Sequence, residues 1–388
     1  MRHHLATVLG LVASTSLVAC SGGDTGKGTQ NVTGNDGGGT GGSSNYVPPT
    51  GAPVSAPDGT WTWVPVDGAK CRDGSQAGFA VNMNSSTDKV MIFLEGGGAC
   101  YNQATCGANP STYNPSGVST INGGLLDRAA AANPVKDWNM VYVPFCTGDV
   151  HAGSAEDVTV PGVAAKQQFV GYKNMELFLD RIVPTFPKPS QVLHTGISAG
   201  GFGAALTAQL VSRKFPPGTN ITLIDDSGPP MNDTVLPPCL QGGWKDTWGF
   251  ENTFLKDCGA DCPDHTNYSI DWSFHLTKLF PKAKGGLIET TDDSVITLFY
   301  GFGTNNCAAS PASFPPPVPE ADFKAGLLDF RSQVQAKNIT NFGTYFITGT
   351  QHTWLHDSAS FAKDVGGVKL VDWLTNILNG TSADQVGP

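Results

Sequence analysis

Charge is scarce in this chain of 388 residues. Asp, Glu, Lys and Arg make up only 14% of it, and 33 acidic side chains against 23 basic ones leave a net charge of −10. No dense run of Lys and Arg occurs, which removes the extended phosphate-neutralising surface that a nucleic-acid partner requires. Histidine is also sparse, with eight in all and two of those at His3 and His4. The cysteines stand at no zinc-motif spacing, so a metal site is not indicated. The acidic cluster of Asp257, Asp261 and Asp264 lacks the spacing of an EF-hand loop. No internal repeat is detectable, and the apolar stretch at residues 5–18 is too short to span a bilayer.

What the chain has in quantity is glycine (48), proline (27) and 39% hydrophobic residues, enough apolar material for a full core within a loop-rich, exported protein. Arg2 and the apolar stretch behind it read as an export signal. Leu17-Val18-Ala19-Cys20 resembles a bacterial lipobox, which implies a signal at 1–20 and a lipid anchor on Cys20. Ser21 follows in place of an aspartate, as in lipoproteins sent to the outer membrane or cell surface. Residues 21–50 are mostly Gly, Ser, Thr and Asn and predict a tether with an r.m.s. span of roughly 30 Å. The folded body is then 51–388. Its eight cysteines, Cys71, Cys100, Cys106, Cys146, Cys239, Cys258, Cys262 and Cys307, predict four disulfides, with Cys100 and Cys106, and Cys258 and Cys262, near enough to close small loops.

Along the body, alternating patterns at 61–64 and 78–83 predict an antiparallel edge or hairpin. Continuous apolar runs at 89–94, 140–145, 191–194, 220–224, 285–290 and 342–347 predict buried strands, and helical spacing is found at 165–183, 204–214, 320–337 and 368–378, with a short patch at 125–131. Strands alternating with helices predict a mainly parallel α/β sheet covered on both faces. Residues 229–284 break that rhythm with Trp244, Trp248, Phe250, Trp272 and Phe274, and read as a cap-like insertion over the sheet's rim.

The chemistry gathers at Gly196-Ile197-Ser198-Ala199-Gly200, a Gly-flanked serine between a strand and a helix. Glycines at these positions permit the sharp turn that leaves a nucleophilic hydroxyl exposed at a helix N-terminus. A serine nucleophile needs a base and an acid that orients the base. In α/β-hydrolases both follow the serine from the ends of later strands. The last long strand ends at His352, the candidate base, with His356 one helical turn further on. The acid is open between Asp292 and Asp293 after the penultimate strand, the usual place, and Asp225 and Asp226 after the strand that follows the elbow; Asp293 is preferred. The loop Glu95-Gly96-Gly97-Gly98-Ala99-Cys100 supplies bare backbone, making the amides of Gly97, Gly98 and Ala199 candidate oxyanion donors. Asp149 and His151 lie at a strand's carboxyl end and border the site or hold a turn there.

Four strings together, Cys71-Arg72-Asp73-Gly74-Ser75 with Gly78-Phe79, Leu94-Glu95-Gly96-Gly97-Gly98-Ala99-Cys100, Gly196-Ile197-Ser198-Ala199-Gly200-Gly201 and His352-Thr353-Trp354-Leu355, resemble the pectin acetylesterase / Notum family. The resemblance implies an α/β-hydrolase-like fold and a Ser198, Asp293, His352 triad, with Asp293-Ser294 in the family's acid context and Gly97, Gly98 and Ala199 as oxyanion donors. It also implies a serine carboxylic-ester hydrolase. The expected substrate is an acetylated extracellular polysaccharide, and no metal or organic cofactor is required. A lipase or polyester depolymerase shares the same triad, and a surface glycan-binding protein without turnover is the rival from another class.

Overall fold

The computed structural model describes residues 46–388, so Cys20, the export signal and most of the 21–50 tether lie outside the described residues. From Tyr46 the chain is already docked. The Tyr46 hydroxyl donates to the carbonyl of Lys214 and the Val54 amide to Thr185 Oγ1. No described helix is long and apolar enough to cross a membrane.

The organising element is a nine-stranded sheet. Its strands are β1 (Trp61–Lys70), β2 (Gln76–Asn82), β3 (Val90–Leu94), β4 (Asn139–Val143), β5 (Val192–Ile197), β6 (Ile221–Asp226), β7 (Gly285–Thr290), β8 (Phe342–Ile347) and β9 (Gln385–Val386), in the spatial order β1-β2-β4-β3-β5-β6-β7-β8-β9. The run from β4 to β9 is parallel throughout, and β1 and β2 add the antiparallel edge. Period-2 geometry splits each strand's side chains between two cores. Val90, Ile92 and Leu94 pack with Val141 and Val143 on one face, and Met91, Phe93, Met140, Tyr142, Ile224 and Ile288 on the other. Both faces are apolar because both are covered, as a parallel sheet requires.

On the first face lie α1 (Gly171–Thr185), α2 (Ala199–Lys214), the helices α3 (Pro238–Trp248), α4 (Phe254–Cys258) and α5 (Ser269–Leu279) of the 229–284 segment, then α6 (Ile296–Tyr300) and α7 (Glu320–Ala336). The second face is covered by α8 (Leu370–Leu378) and by the loops that carry Leu125, Trp138 and Trp354. The described cysteines pair as Cys71–Cys146, Cys100–Cys106, Cys239–Cys307 and Cys258–Cys262.

Three local expectations are corrected. The helix expected from 165 begins at Gly171, because Gln167–Phe169 pairs instead with Ala155–Val158 and the Asp149 carboxylate receives the Gly171 amide where the helix starts. The patch at 125–131 is only the short 3₁₀ turn Gly124–Leu126. There Asn133 Nδ2 donates to the carbonyls of Leu125 and Asp127, so a side chain competes for the acceptors a helix would use. The last helix starts at Leu370, since Val368–Lys369 forms a small ladder with Asp364–Val365. The helix after the serine, in contrast, is longer than the pattern indicated and begins at Ala199.

Candidate active site

Ser198 joins β5 to α2 with φ +56° and ψ −123°, a region that non-glycine residues rarely occupy. The turn is held by crowding. A Cβ on Gly200 would run into the Leu94 carbonyl at the end of β3, one on Gly196 would meet the Gly200 carbonyl, and one on Gly201 would meet Asp225 and the Asp226 carbonyl. These glycines are therefore demanded by the close approach of three strand ends to the start of α2. The Ser198 amide donates to the Asp226 carbonyl at 2.7 Å, which ties the elbow to the end of β6.

Asp293 is fully buried in the loop after β7, and its Oδ2 lies 2.7 Å from His352 Nδ1, on the loop after β8. Its Oδ1 accepts the amides of Val295 and Ile296 at 2.8 and 2.9 Å. One carboxylate thus caps the turn before α6 and holds an imidazole. Beneath it Glu289 is fully buried; burial and the neighbouring Asp293 push its carboxyl far above the usual range. Asp292 is only partly buried and makes no side-chain hydrogen bond to His352.

The other aspartate doublet is divided by strand parity. Asp226 shares the face of Ile224, and its Oδ2 accepts the amides of Trp354 and Leu355 at 2.8 and 2.7 Å, while Ser227 Oγ donates to its Oδ1. Ser227 Oγ also receives the Thr353 amide. Asp226 therefore fixes the backbone just beyond His352 instead of meeting the ring. Burial raises its pKa to about 6 against the opposing pull of those donors and of His352. Asp225 points the other way, with Oδ1 crowded by Gly201 and Gly228, and burial followed by the Asp226 charge pushes its carboxyl well up. His356 is exposed, with Nδ1 2.9 Å from Thr353 Oγ1. The elbow and the His352 loop are thus linked through the Asp226-Ser227 pair.

The glycine-rich loop after β3 forms the opposite wall. Gly98 has φ +84°, and a Cβ on Gly97 would strike the Phe145 ring. Gly98 and Ala199 line the same cavity as Ser198, while Gly97 is not part of that lining; its carbonyl receives Asn109 Nδ2 at 2.5 Å. Sequence reasoning missed the supports of this loop. Buried Arg72 donates to the carbonyls of Cys106 and Asn109, 3.1 and 2.7 Å away, and to Gln167 Oε1. His151 lies under α2, with Nε2 2.8 Å from the Glu95 carbonyl. Burial lowers its pKa to about 4, so at neutral pH it is an uncharged donor to that carbonyl. Asp149 accepts from Thr147 Oγ1, Gly171 N and Gly153 N, and burial raises its pKa to about 6. Asp149 and His151 accordingly brace the site from below. The signal available for them was position alone, at the carboxyl end of a strand.

Beside Ser198 opens a cavity of about 820 Å³, its mouth included. Its walls are almost wholly apolar, from Phe202 and Leu206 of α2 to Trp244, Trp248, Tyr268 and Trp272 of the 229–284 segment. That segment is pinned in place by Trp248 Nε1, which donates to the Cys100 carbonyl at 2.8 Å, and by Trp272 Nε1, which donates to the Ala205 carbonyl at 3.1 Å. The three aspartates Asp257, Asp261 and Asp264 do not converge. Asp257 pairs with Arg213, Asp261 with Lys278 and His275, and Asp264 caps Thr266.

The family described as Pectinacetylesterase matches residues 62–267. The chain is 30% identical over 157 residues to the palmitoleoyl-protein carboxylesterase NOTUM of Schmidtea mediterranea, covering 38% of this chain and 29% of that protein. To the NOTUM of Homo sapiens it is 28% identical over 172 residues, 41% of this chain and 34% of that one. To pectin acetylesterase 5 of Arabidopsis thaliana it is 26% identical over 208 residues, 50% and 48% of the two chains. The chain thus spans less than half the length of these curated relatives. Among solved structures, the Wnt deacylase Notum from Drosophila superposes with a TM-score of 0.61 at 18% identity, over 84% of this chain and 95% of that one. At that identity the likeness concerns the α/β-hydrolase-like fold.

Proposed function

The chain belongs to the pectinacetylesterase family, and from that premise we propose that it is a carboxylic-ester hydrolase working through an acyl-enzyme on Ser198. The observation that carries the proposal is the buried Asp293 carboxylate 2.7 Å from His352 Nδ1, on a loop tied to the Ser198 elbow. Ser198 Oγ attacks the acyl carbonyl while His352 Nε2 takes its proton, and Asp293 accepts from Nδ1–H to hold the ring and stabilise the imidazolium. The amides of Ala199, Gly98 and Gly97 are the proposed donors to the oxyanion. The C–O bond to the alcohol then breaks as His352 returns the proton to the leaving oxygen. Water, deprotonated by His352, releases the acid.

The acyl group is best supported as an extended apolar one. The wall of Trp244, Trp248, Tyr268 and Trp272 beside Ser198 offers burial worth about 0.8 kcal/mol per methylene, or roughly fourfold in kcat/KM, and acetyl offers only its methyl. Relatives called palmitoleoyl-protein carboxylesterases agree with this reading. Removal of acetyl groups from an extracellular polysaccharide is the second reading, favoured by the matched family and the Arabidopsis relative.

A p-nitrophenyl ester series from acetate to palmitate tests both readings. Rates that climb to medium or long chains support the first, and a maximum at acetate replaces it with the second. Ser198→Ala abolishes turnover with either group; retained turnover, or failure of a fluorophosphonate to label Ser198, removes the hydrolase reading. Export and anchoring through Cys20 complete the proposal. Four disulfides in the described body suit an oxidising compartment, and Cys20→Ser is expected to abolish incorporation of labelled palmitate.

A further inference from the structure

A second, more open cavity of about 800 Å³, its mouth included, lies across the sheet from the apolar one. Phe93 and Tyr142, from the face opposite α2, form its floor, and the 113–126 loop and His356 form its rim. The two cavities flank one turn. Ile197 lines the second and Ser198 the first. Glu95 lines the second and Gly98 the first, and between those two Gly96 touches the serine, since a Cβ there would lie 2.9 Å from Ser198 Cβ. An ester held at Ser198 sends its acyl and alcohol parts in different directions from one carbonyl. Two cavities on two sides of the elbow provide for both.

The second cavity is built differently from the first. The rings of Tyr113 and Tyr142 are its aromatic surfaces, and Glu95, Asn122, Thr120 and His356 are its polar groups. Glu95 Oε2 accepts the Phe145 amide at 2.9 Å, and the Tyr142 phenol lies against the carboxylate, so acceptor capacity is left for a ligand. The Thr353 hydroxyl occupies His356 Nδ1, which leaves Nε2 open. Burial, then Glu95, raises the Tyr113 pKa to about 12 and pushes Tyr142 up as well, so both phenols stay neutral. Among the described residues neither Lys nor Arg lines the cavity, and Glu95 is the one carboxylate there.

We propose that this cavity is the alcohol-side subsite of the enzyme and that it takes a neutral, hydroxyl-rich sugar ring, not a uronate. The C–H faces of a pyranose pack on the two tyrosines, its hydroxyls donate to Glu95 and pair with Asn122 and His356, and a sugar carboxylate is disfavoured beside the Glu95 carboxylate, with no Lys or Arg among the described lining residues to offset it. The proposal rests on the hydrolase reading for the name alcohol side, but ligand binding can be read without turnover.

The test titrates Ser198→Ala protein with xylotetraose and with tetragalacturonate, by calorimetry and saturation-transfer NMR, then repeats the titrations with Tyr113→Ala and Asn122→Ala added. Xylotetraose is expected to bind and tetragalacturonate to bind at least tenfold more weakly, with Tyr113→Ala costing about tenfold in xylotetraose affinity. On the Ser198-bearing enzyme, both variants are expected to raise KM for acetylated xylotetraose while leaving its kcat within about twofold. Asn122 is exposed, so its variant keeps the test independent of loop folding. Equal or tighter binding of tetragalacturonate, or xylotetraose binding indifferent to both substitutions, overturns the proposal. Equally strong competition by a serine-acylated peptide overturns it in favour of a protein acceptor. Tyr113-dependent sugar binding in a chain that hydrolyses no ester would instead bring down the hydrolase reading and leave the sugar site standing.

Discussion

The end of β6 and the loop after β7 each send one buried aspartate to the same His352 segment, and the two make different contacts there. Asp293 meets the imidazole, and Asp226 meets the backbone amides of Trp354 and Leu355 immediately beyond it. At position 293 a negative charge beside a ring that becomes positive is what the proposed chemistry uses. At position 226 the demand is for an acceptor oxygen, and burial already favours the neutral form there. Two groups of one chemical type are therefore separable by whether their charge or only their lone pairs matter.

Asp293→Asn is the sharpest way to break this pairing. An amide can still accept the Val295 and Ile296 amides but no longer supports the imidazolium, so kcat for ester hydrolysis is expected to fall on the order of 10³–10⁴-fold. The urea midpoint is expected to move little, and a kcat within tenfold of the parent would show that Asp293 is a helix cap only. Next in size is Asp226→Ala, which orphans two buried amides. We expect a loss of about 2–4 kcal/mol in urea unfolding, and an unchanged midpoint would contradict the anchoring role.

A smaller effect is expected from Asp226→Asn, because both amides reach the same Oδ2 and an amide oxygen can take its place. The pH dependence supplies the sign. Asp226 has a folded pKa of about 6 against about 3.9 when unfolded, so its contribution is complete below about pH 4 and is lost as pH rises to about 6. The Asn variant lacks that loss, and relative to the parent it should gain stability across this interval in thermal melts and be at least as stable at pH 8. A difference between the two proteins that stays constant from pH 4 to 8 would show that Asp226 does not titrate there. Asp292→Asn should do least, changing kcat/KM by less than about twofold; a loss comparable with that of Asp293→Asn would reassign the acid.

Much of this was open to a reader of residues. Continuous apolar runs placed β3 to β8 to within a few residues, and Gly196, Ser198 and Gly200 marked the turn because few other residues tolerate such crowding. The division of Asp225 from Asp226 was also available in principle, since alternation puts Asp226 on the face of Ile224. What no pattern gave was the bracing by Arg72 and Asn109, whose partners lie between 12 and 95 positions away along the chain. The helices of residues 229–284 were equally hidden, because their aromatics pack on one another and on α2 without a clean period.

By itself the sequence determined the parallel sheet, the elbow and the family, because these rest on local periodicity and on glycines that must be where they are. Only the tertiary structure decided which of four aspartates faces His352, and that the Ser198 elbow has an apolar cavity on one side and, on the other, one that carries Glu95, Asn122 and His356. Those outcomes depend on which loops share a strand edge, a relation between residues far apart in the chain that no local property encodes.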